Sequence, residues 1–477
     1  MFEYAKALLF QHSWIMEPPI QWGTTFVVSK WPIGLSLLYM PILALLKATI
    51  FSGDPSITQI PAMDLARYHE HLLMNGPYLY ASYIHPVIAA LTAGLIFLLG
   101  RQLGLSKRTA VVAALAFGLA SPAAVYARFD YAQPLAGLFL LVACWLVFLA
   151  RSGCRWCFLL AGIAAGFAGL ARNELYVIGA LPIGIGTLML NSGQSRSNHW
   201  FQRKRLENTL AYALPVGILF IANLATNAAR FGSLTGTGYA STEGDLFVLG
   251  LNRFMVALTG NLFSPGRGIF LFFPLAILSP IGVVALFRRD RWAAGLLSSF
   301  ILLALGLYAF WLQWAAGISW GPRFFIPFLP YITILAFMSG EVFQGYVRQA
   351  WYAALVILVV LGSVVSFQGL LFNFEAFYSS LHLPNDWIAA GDYNFKTAYS
   401  PIFSGWYELS DPRKYDIYLV QQILLGSRKA IAILAALGAL FIGSIAGWVY
   451  WFTAGQRAQR RTPDGSGGRP GARYSGR

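Results

Sequence analysis

Long apolar runs alternate with short charged connectors along this chain, a pattern that belongs neither to half-buried strands nor to surface helices with one wet face. Runs of roughly 16 to 24 residues closed by charge are long enough to cross a bilayer as helices. Eleven such spans are predicted, near 80–100, 109–127, 133–150, 156–171, 174–190, 209–226, 269–287, 292–312, 324–340, 351–369 and 429–452. Arginine-rich connectors, Arg101 to Arg108, Arg151 to Arg155 and Arg288-Arg289-Asp290-Arg291, join them on one side. The positive-inside rule assigns that side to the cytoplasm, and alternation puts the long aromatic loops 227–268 and 370–428 outside.

Trp31 to Phe51 is also apolar, but Pro32, Gly34 and Pro41 interrupt it and Lys30 and Lys47 flank it. It reads as a helix lying along the outer interface rather than as a span. Residues 1–79 then form one extracytoplasmic first loop, and a helix that carries the chain across the membrane is expected upstream of Met1. Residues 80–453 form the transmembrane bundle, and 454–477 a basic, low-complexity cytoplasmic tail expected to be disordered. The expected fold class is an all-α polytopic membrane protein.

Composition agrees with that class: 57% of residues are apolar and only 11% charged, too few charges to wet a globular surface. A soluble enzyme and a disordered chain are thereby excluded. Aromatic residues at 16% suit repeated crossings of the headgroup region. The net charge of +15 concentrates in the connectors and tail assigned to the cytoplasm, where anionic lipid accounts for it without nucleic acid. Cys144, Cys154 and Cys157 offer no extracellular disulfide framework, and Cys154-x-x-Cys157 reads as incidental.

Candidate chemistry centres on arginines at the outer ends of spans: Arg172, Arg230, Arg267 and Arg323. A charge at membrane depth is costly and lines a cavity or meets a partner. Arg172 and Glu174 share one turn, so they either pair with each other or leave Arg172 for a ligand. Ser264-Pro265-Gly266-Arg267-Gly268 and Ser319-Trp320-Gly321-Pro322-Arg323-Phe324 each set a guanidinium on small or rigid backbone. Glycine lets a ligand approach the main chain and the planar fork of donors matches phosphate oxygens, although snorkelling to lipid headgroups would use the same residues.

The acids expected outside include Glu3, Glu17, Asp54, Asp64, Glu70, Asp130, Glu243, Asp245 and Glu375. Asp64-x-x-Arg67-x-His69-Glu70-His71 lacks the i, i+4 spacing of a zinc helix, so no metal site is assigned there. Thr242-Glu243-Gly244-Asp245 is either a solvated loop or a contact to an acceptor or a divalent cation. No Gly-x-Ser-x-Gly, Walker loop or dinucleotide fingerprint occurs. Gly162-x-x-x-Gly166, with Gly169 following, predicts close helix packing.

Taken in order, Lys30-Trp31-Pro32-Ile33-Gly34-x-Ser36-Leu37, Leu98-Leu99-Gly100-Arg101-Gln102-Leu103-Gly104, Ala171-Arg172, Asn227-x-x-Arg230-Phe231-Gly232-Ser233 with Thr237-Gly238-Tyr239, Phe263-Ser264-Pro265-Gly266-Arg267-Gly268 and Trp320-Gly321-Pro322-Arg323-Phe324 cover almost the whole chain. This series resembles polyprenyl-phosphate-dependent glycosyltransferases of the GT-C type. It is similar to bacterial glycosyltransferase 39-like members, protein mannosyltransferases and lipid A aminoarabinose transferases. The resemblance implies a GT-C-like bundle with a first outer loop carrying interfacial helices. It also implies transfer of a sugar from a polyprenyl-phosphate donor to an extracytoplasmic glycan, lipid or protein acceptor.

In that reading Arg172, Arg267 and Arg323 hold the donor phosphate, while Lys30, Arg230, Tyr239, Glu243 and Asp245 contribute to substrate binding. The acid that opens the first loop in such enzymes is expected just upstream of Met1, which leaves Glu3 as a substitute for acceptor activation. No cofactor is assigned, with a divalent cation left open. The rival readings are a lipid or polysaccharide transporter and a catalytically degenerate membrane scaffold.

Overall fold

The structure is a computed structural model that describes residues 1–15, 20–22, 24–26, 32–59, 76–190, 199–236, 247–381 and 391–408, with scattered positions from 415 to 443. The chain divides into two units, Met1–Glu408 and Leu409–Arg477. All that follows concerns the first. Helices dominate it: α1 (Phe2–Lys6), α2 (Gly34–Ala48), α3 (Gly76–Ser82), α4 (Ile84–Gln102), α5 (Lys107–Leu119), α6 (Ala123–Tyr126), α7 (Ala132–Arg151), α8 (Trp156–Ala171) and α9 (Leu181–Met189) come first. Next are α10 (His199–Phe231), α11 (Leu251–Phe263), α12 (Ile269–Phe272), α13 (Ser279–Arg289), α14 (Arg291–Phe310), α15 (Leu329–Met338), α16 (Gly345–Leu371), α17 (Phe374–Ser380) and α18 (Pro401–Glu408). The first loop adds a two-stranded antiparallel hairpin, β1 (Ile20–Trp22) and β2 (Thr24–Phe26), with Ile20 opposite Phe26.

Ten of the predicted spans lie over helical segments, and the last, 429–452, falls mainly outside the described residues. Among the described residues six helices are long and apolar enough to cross a membrane, so the chain is a helical polytopic membrane protein. Two of the others are broken where the sequence places proline. Pro122 separates α5 from α6, and Pro274 and Pro280 divide 269–287 into α12, a 3-10 turn over Pro274–Leu278 and α13. Proline removes a backbone donor and crowds the preceding turn, which stops an α-helix inside an apolar run. In the same way Arg323–Phe328, which contains Pro327, forms a 3-10 entry to α15.

Burial ranks the helices by depth in the bundle. The segment Arg323–Val342 has 89% of its apolar window buried, against 17% for Lys204–Phe231, so α15 is the axis and α10 faces outward. Small residues set the closest approaches. Gly162 of α8 lies against the Tyr212 backbone of α10, with Gly166 against Leu219 one turn on, the close packing that the spacing of these glycines predicts. Asp290 caps α14 by accepting from the Ala293 N–H at 3.0 Å and pairs with Arg151 at 2.7 Å, which ties the α13–α14 turn to the end of α7.

At 15 residues, α2 reaches about 22 Å, short of the roughly 30 Å of a bilayer core, and so does not cross alone. It packs through Gly34 against the end of α8, where a Cβ would come 2.6 Å from the Ala171 nitrogen. Cys154 and Cys157 are joined as a disulfide at the turn before α8, which replaces the incidental reading of that pair. Cys144 is free and buried in α7.

Candidate functional site

The segment between α14 and α15 carries the most constrained arginine. Gly321 takes a left-handed φ of 63°, and a Cβ there would stand 2.5 Å from the Phe272 ring, so only glycine fits this corner. The Trp320 N–H donates to the Tyr126 hydroxyl, which donates back to the Trp320 carbonyl, both at 3.1 Å. Pro322 then presets the backbone so that Arg323 opens the 3-10 turn with little freedom to move. Its guanidinium lies 4.9 Å from the centre of the Tyr131 ring and 5.8 Å from that of Phe324. Its Nε is buried with no hydrogen-bond partner among the described residues.

Arg172 approaches the same Phe324 ring, at 5.6 Å. Of the two readings of its turn the structure takes the ion pair: Arg172 Nη2 is 2.6 Å and Nε 2.7 Å from Glu174 Oε1. Glu174 also accepts from the Tyr308 hydroxyl at 3.1 Å, and Tyr308 stacks on Phe324 at 4.7 Å. The result is a compact group in which Phe324 separates a paired guanidinium from one with an orphaned donor.

Arg267 departs from its expected role. It is fully buried, and its Nε donates to the Ala315 carbonyl at 2.7 Å, its Nη1 to the Ser319 carbonyl at 2.7 Å and the Tyr378 hydroxyl at 2.8 Å, and its Nη2 to the Gly317 carbonyl. A guanidinium has five donors, and here they are spent on the loop that leads to Arg323. Arg267 clamps this loop, its donors directed at protein carbonyls and the Tyr378 hydroxyl. The glycine beside it admits no ligand either: a Cβ on Gly266 would stand 2.5 Å from Asn394 Oδ1. The Gly266 N–H donates to the Asn394 carbonyl at 2.9 Å and Ser400 Oγ donates to the Pro265 carbonyl, which docks the 391–400 segment on this turn.

Arg230, at the end of α10, lies 5.4 Å from the ring of Tyr4 and 4.7 Å from that of Phe231, and so meets the first loop rather than Arg323. Lys30, Tyr239, Glu243 and Asp245 lie outside the described residues, as do Asp64, Arg67, His69, Glu70 and His71. Among the described residues no group of three or more His, Cys, Asp or Glu is placed to hold a metal ion.

Glu3 is 1% exposed, and the ammonium of Lys6, itself fully buried, stands 3.1 Å from its carboxylate. Burial raises the Glu3 carboxyl above its ordinary range, with Lys6 opposing, and burial lowers the Lys6 ammonium, with Glu3 opposing. Lys6 also donates to the carbonyls of Ser56 at 2.9 Å and Gln59 at 3.1 Å. Enclosed in this way, the Glu3 carboxylate is held in a buried ion pair with Lys6.

The acid next to Tyr131 in the chain is Asp130, with 17% of its side chain exposed. Tyr39 of α2 donates to Asp130 Oδ1 at 3.2 Å, and His85 Nε2 lies 2.7 Å from the same hydroxyl. The Met1 amine stands 3.6 Å from Asp130 Oδ2. One proton on Tyr39 serves one acceptor, so when it points at Asp130 the bond to His85 must run from Nε2–H to the tyrosine oxygen. His85 Nδ1, buried without a partner, is then a bare lone pair rather than a stranded donor. Sequence reasoning named Asp130 only as one acid among nine and missed Tyr39, His85 and Tyr131. A histidine near the outer end of a predicted span was the available signal for His85.

Arg323 thus meets the Tyr131 ring, and Asp130, the preceding residue, is held by Tyr39 of α2. A guanidinium can hold an anion and a carboxylate can accept a proton.

No protein-family model matches the chain, and no curated protein does. Among solved structures it is similar to the apo form of the oligosaccharyltransferase of Archaeoglobus fulgidus, with a TM-score of 0.46 and 13% identity over 84% of this chain. The chain spans 56% of that protein's length, little more than half.

Proposed function

We propose that this chain is a membrane glycosyltransferase of the GT-C type that moves a sugar from a polyprenyl phosphate to an extracytoplasmic acceptor. One observation carries the reading: Arg323, its buried Nε without a hydrogen-bond partner among the described residues, stands beside Tyr131 at the entry to the most buried of the described apolar segments. A desolvated guanidinium with donor capacity left over is matched by an anionic oxygen. The ordered motifs that resemble polyprenyl-phosphate-dependent enzymes make that oxygen a lipid phosphate.

The reaction is a substitution at the anomeric carbon. The acceptor oxygen forms a bond to that carbon, and the bond from it to the donor phosphate breaks. The phosphate, still esterified to its isoprenoid chain, leaves with the electron pair on its oxygen, and the acceptor's proton passes to Asp130. Arg323 stabilises the negative charge that grows on the leaving phosphate, by about 2.7 to 4 kcal/mol on the scale of a preorganised oxyanion donor. Asp130 takes the role assigned at first to Glu3, because a hydroxyl nucleophile needs a positioned proton acceptor. Arg172 flanks the phosphate across Phe324 while Glu174 holds its direction, and Lys30, Tyr239, Glu243 and Asp245 bind substrate. In this reading 1–79 is the outer first loop, 80–453 the bundle in the plasma membrane and 454–477 a cytoplasmic tail.

The test is sugar transfer in proteoliposomes holding the full chain and a panel of radiolabelled polyprenyl-phosphate sugars. Transfer by the native chain and its loss in Arg323→Ala and Asp130→Asn, with folding intact, is the expected result. Silence of the native chain with every donor, or full activity of the Arg323 variant, overturns the reading.

A further inference from the structure

At the other end of α8 from Arg172 lies a feature that sugar transfer does not use, the Cys154–Cys157 disulfide. The 16 residues of α8 put it about 24 Å from the Arg172 end. The bond joins residues only three apart, the case in which a cross-link removes least entropy from the unfolded chain. Other bonds already hold the turn. The Gly153 N–H donates to the Ala150 carbonyl at 3.0 Å, the Cys157 N–H to the Cys154 carbonyl and the Phe158 N–H to the Arg155 carbonyl, both at 3.2 Å, and Arg151 pairs with Asp290 at 2.7 Å. Stability of the fold therefore gives little reason for the disulfide.

The two sulfurs differ in access. Cys154 is exposed on the turn, whereas Cys157, in the first turn of α8, is 5% exposed. Gly153, with a left-handed φ of 114°, leaves open space next to Cys154: a Cβ added there would meet nothing within 4 Å. An incoming sulfur therefore meets Cys154 before Cys157. Arg155 is exposed between the two cysteines in the chain, and the start of α8 is the positive pole of that helix, and both favour thiolate over thiol. The turn follows Arg151, the last residue of a helix long and apolar enough to cross a membrane, so it lies where water-soluble thiols can approach. One open and one enclosed cysteine, separated by two residues at the start of a helix, is an arrangement by which dithiols exchange electrons. The third cysteine, Cys144, is fully buried in α7 and takes no part.

We infer that Cys154 and Cys157 form a thiol–disulfide exchange site, in which Cys154 meets the sulfur of an external dithiol and Cys157 resolves the mixed disulfide. In the reducing direction a thiolate of the dithiol bonds to Cys154 Sγ, the Cys154–Cys157 bond breaks, and Cys157 Sγ leaves with the electron pair and takes a proton. The second thiolate of the dithiol then bonds to its own first sulfur, and Cys154 Sγ leaves with the electron pair and is protonated. The external dithiol becomes a disulfide, and the chain gains two electrons and two protons. In the oxidising direction the steps reverse, with Cys157 attacking the sulfur of Cys154 in the mixed disulfide. This stands on the turn alone, whatever reaction the other end of α8 serves.

Dithiothreitol is the probe, added to the purified full chain. After reduction and brief maleimide labelling, peptide mass spectrometry should find Cys154 labelled about tenfold more than Cys157 and Cys144 unlabelled, with a melt close to that of the unreduced chain. Given glutathione disulfide, Cys157→Ser should hold glutathione on Cys154 as a stable mixed disulfide, and Cys154→Ser should hold about tenfold less. The reduced native chain should release the glutathione and close the Cys154–Cys157 bond. Should serine at 157 disturb folding, Cys157→Ala reads the same trapping. A bond that resists dithiothreitol until the chain unfolds is a structural cross-link and overturns the inference. So do equal trapping by the two single variants, a glutathione adduct that persists on the native chain, and labelling of both cysteines before any reductant is added.

Discussion

The Arg323 guanidinium sits 4.9 Å from the centre of the Tyr131 ring, its Nε buried and without a hydrogen-bond partner among the described residues, and Asp130 is the residue before Tyr131 in the chain. Because the ring and not a carboxylate faces the guanidinium, its charge is available to a ligand. Arg323→Ala is therefore expected to cut sugar transfer by about 100- to 1,000-fold while the unfolding temperature changes little. Arg323→Lys should recover only a minor part, since an ammonium lacks the planar fork that stacks on a ring and grips two oxygens. Comparing the two variants in transfer assays and thermal melts separates this role from a packing role.

Arg267 gives the opposite forecast from a similar local motif. Truncation would strip partners from the carbonyls of Ala315, Gly317 and Ser319 and from Tyr378, all near a fully buried side chain. Each bond to a charged group is worth about 1.5 to 3 kcal/mol, so Arg267→Ala should lose several kcal/mol of stability or fail to accumulate. A melt that matches the native chain, with activity alone reduced, would return Arg267 to the active site.

The two arginines also mark where the sequence stopped being informative. Both lie within two residues after a glycine and shortly before an apolar segment, so local pattern treats them alike. Their difference arises from the 315–319 carbonyls and from Tyr378 and Tyr393, supplied by distant parts of the chain. Helix positions were legible because membrane length and charge act locally, whereas the breaks at Pro122, Pro274 and Pro327 fall inside spans that the apolar runs present as continuous. Tyr39, His85 and Asp130 meet from three separate segments, and a local period carries no trace of such a meeting. Gly34 belonged to a recognised motif, but its reason, contact with the end of α8, needed the fold.

That contact supports a prediction of its own. A Cβ at residue 34 would come 2.6 Å from the Ala171 nitrogen and 2.7 Å from its Cα, and backbone cannot step aside as a side chain can. Gly34→Ala should cost about 1 to 3 kcal/mol as an overpacked contact. Because α2 also carries Tyr39 and Ala171 adjoins Arg172, transfer should fall together with stability. Paired melts and transfer assays check this, and an unchanged melt refutes the contact.

The buried pair of Glu3 and Lys6 predicts a pH dependence with a definite sign. Removing one partner from a buried ion pair costs about 3 to 5 kcal/mol, so Lys6→Met should destabilise the first loop strongly. In that variant the only nearby cation that opposes the raised Glu3 carboxyl through a hydrogen bond is gone. The folded state then holds a proton that the unfolded chain releases above its ordinary value of 4.5, so stability falls as pH rises beyond it. Melts of Lys6→Met between about pH 5 and pH 8 should slope downward, and the additional change Glu3→Gln should flatten them.

Asp130, Tyr39 and His85 form a chain in which donors can run toward the carboxylate, from His85 Nε2 through the tyrosine hydroxyl, over distances of 2.7 and 3.2 Å. Removing the carboxylate by Asp130→Asn should lower turnover by about 100- to 10,000-fold, the range of a general base. Tyr39 and His85 touch no substrate in this scheme and act by aiming Asp130, so Tyr39→Phe and His85→Leu should each lower kcat with little change in the KM for the lipid donor. His85→Gln retains an N–H near the position of Nε2 and should restore part of what His85→Leu loses, which a mere packing role would not produce, since both variants remove the ring. If glutamine and leucine behave alike in kcat, the hydrogen-bond chain has no part in turnover and His85 serves only to fill its site behind Tyr39.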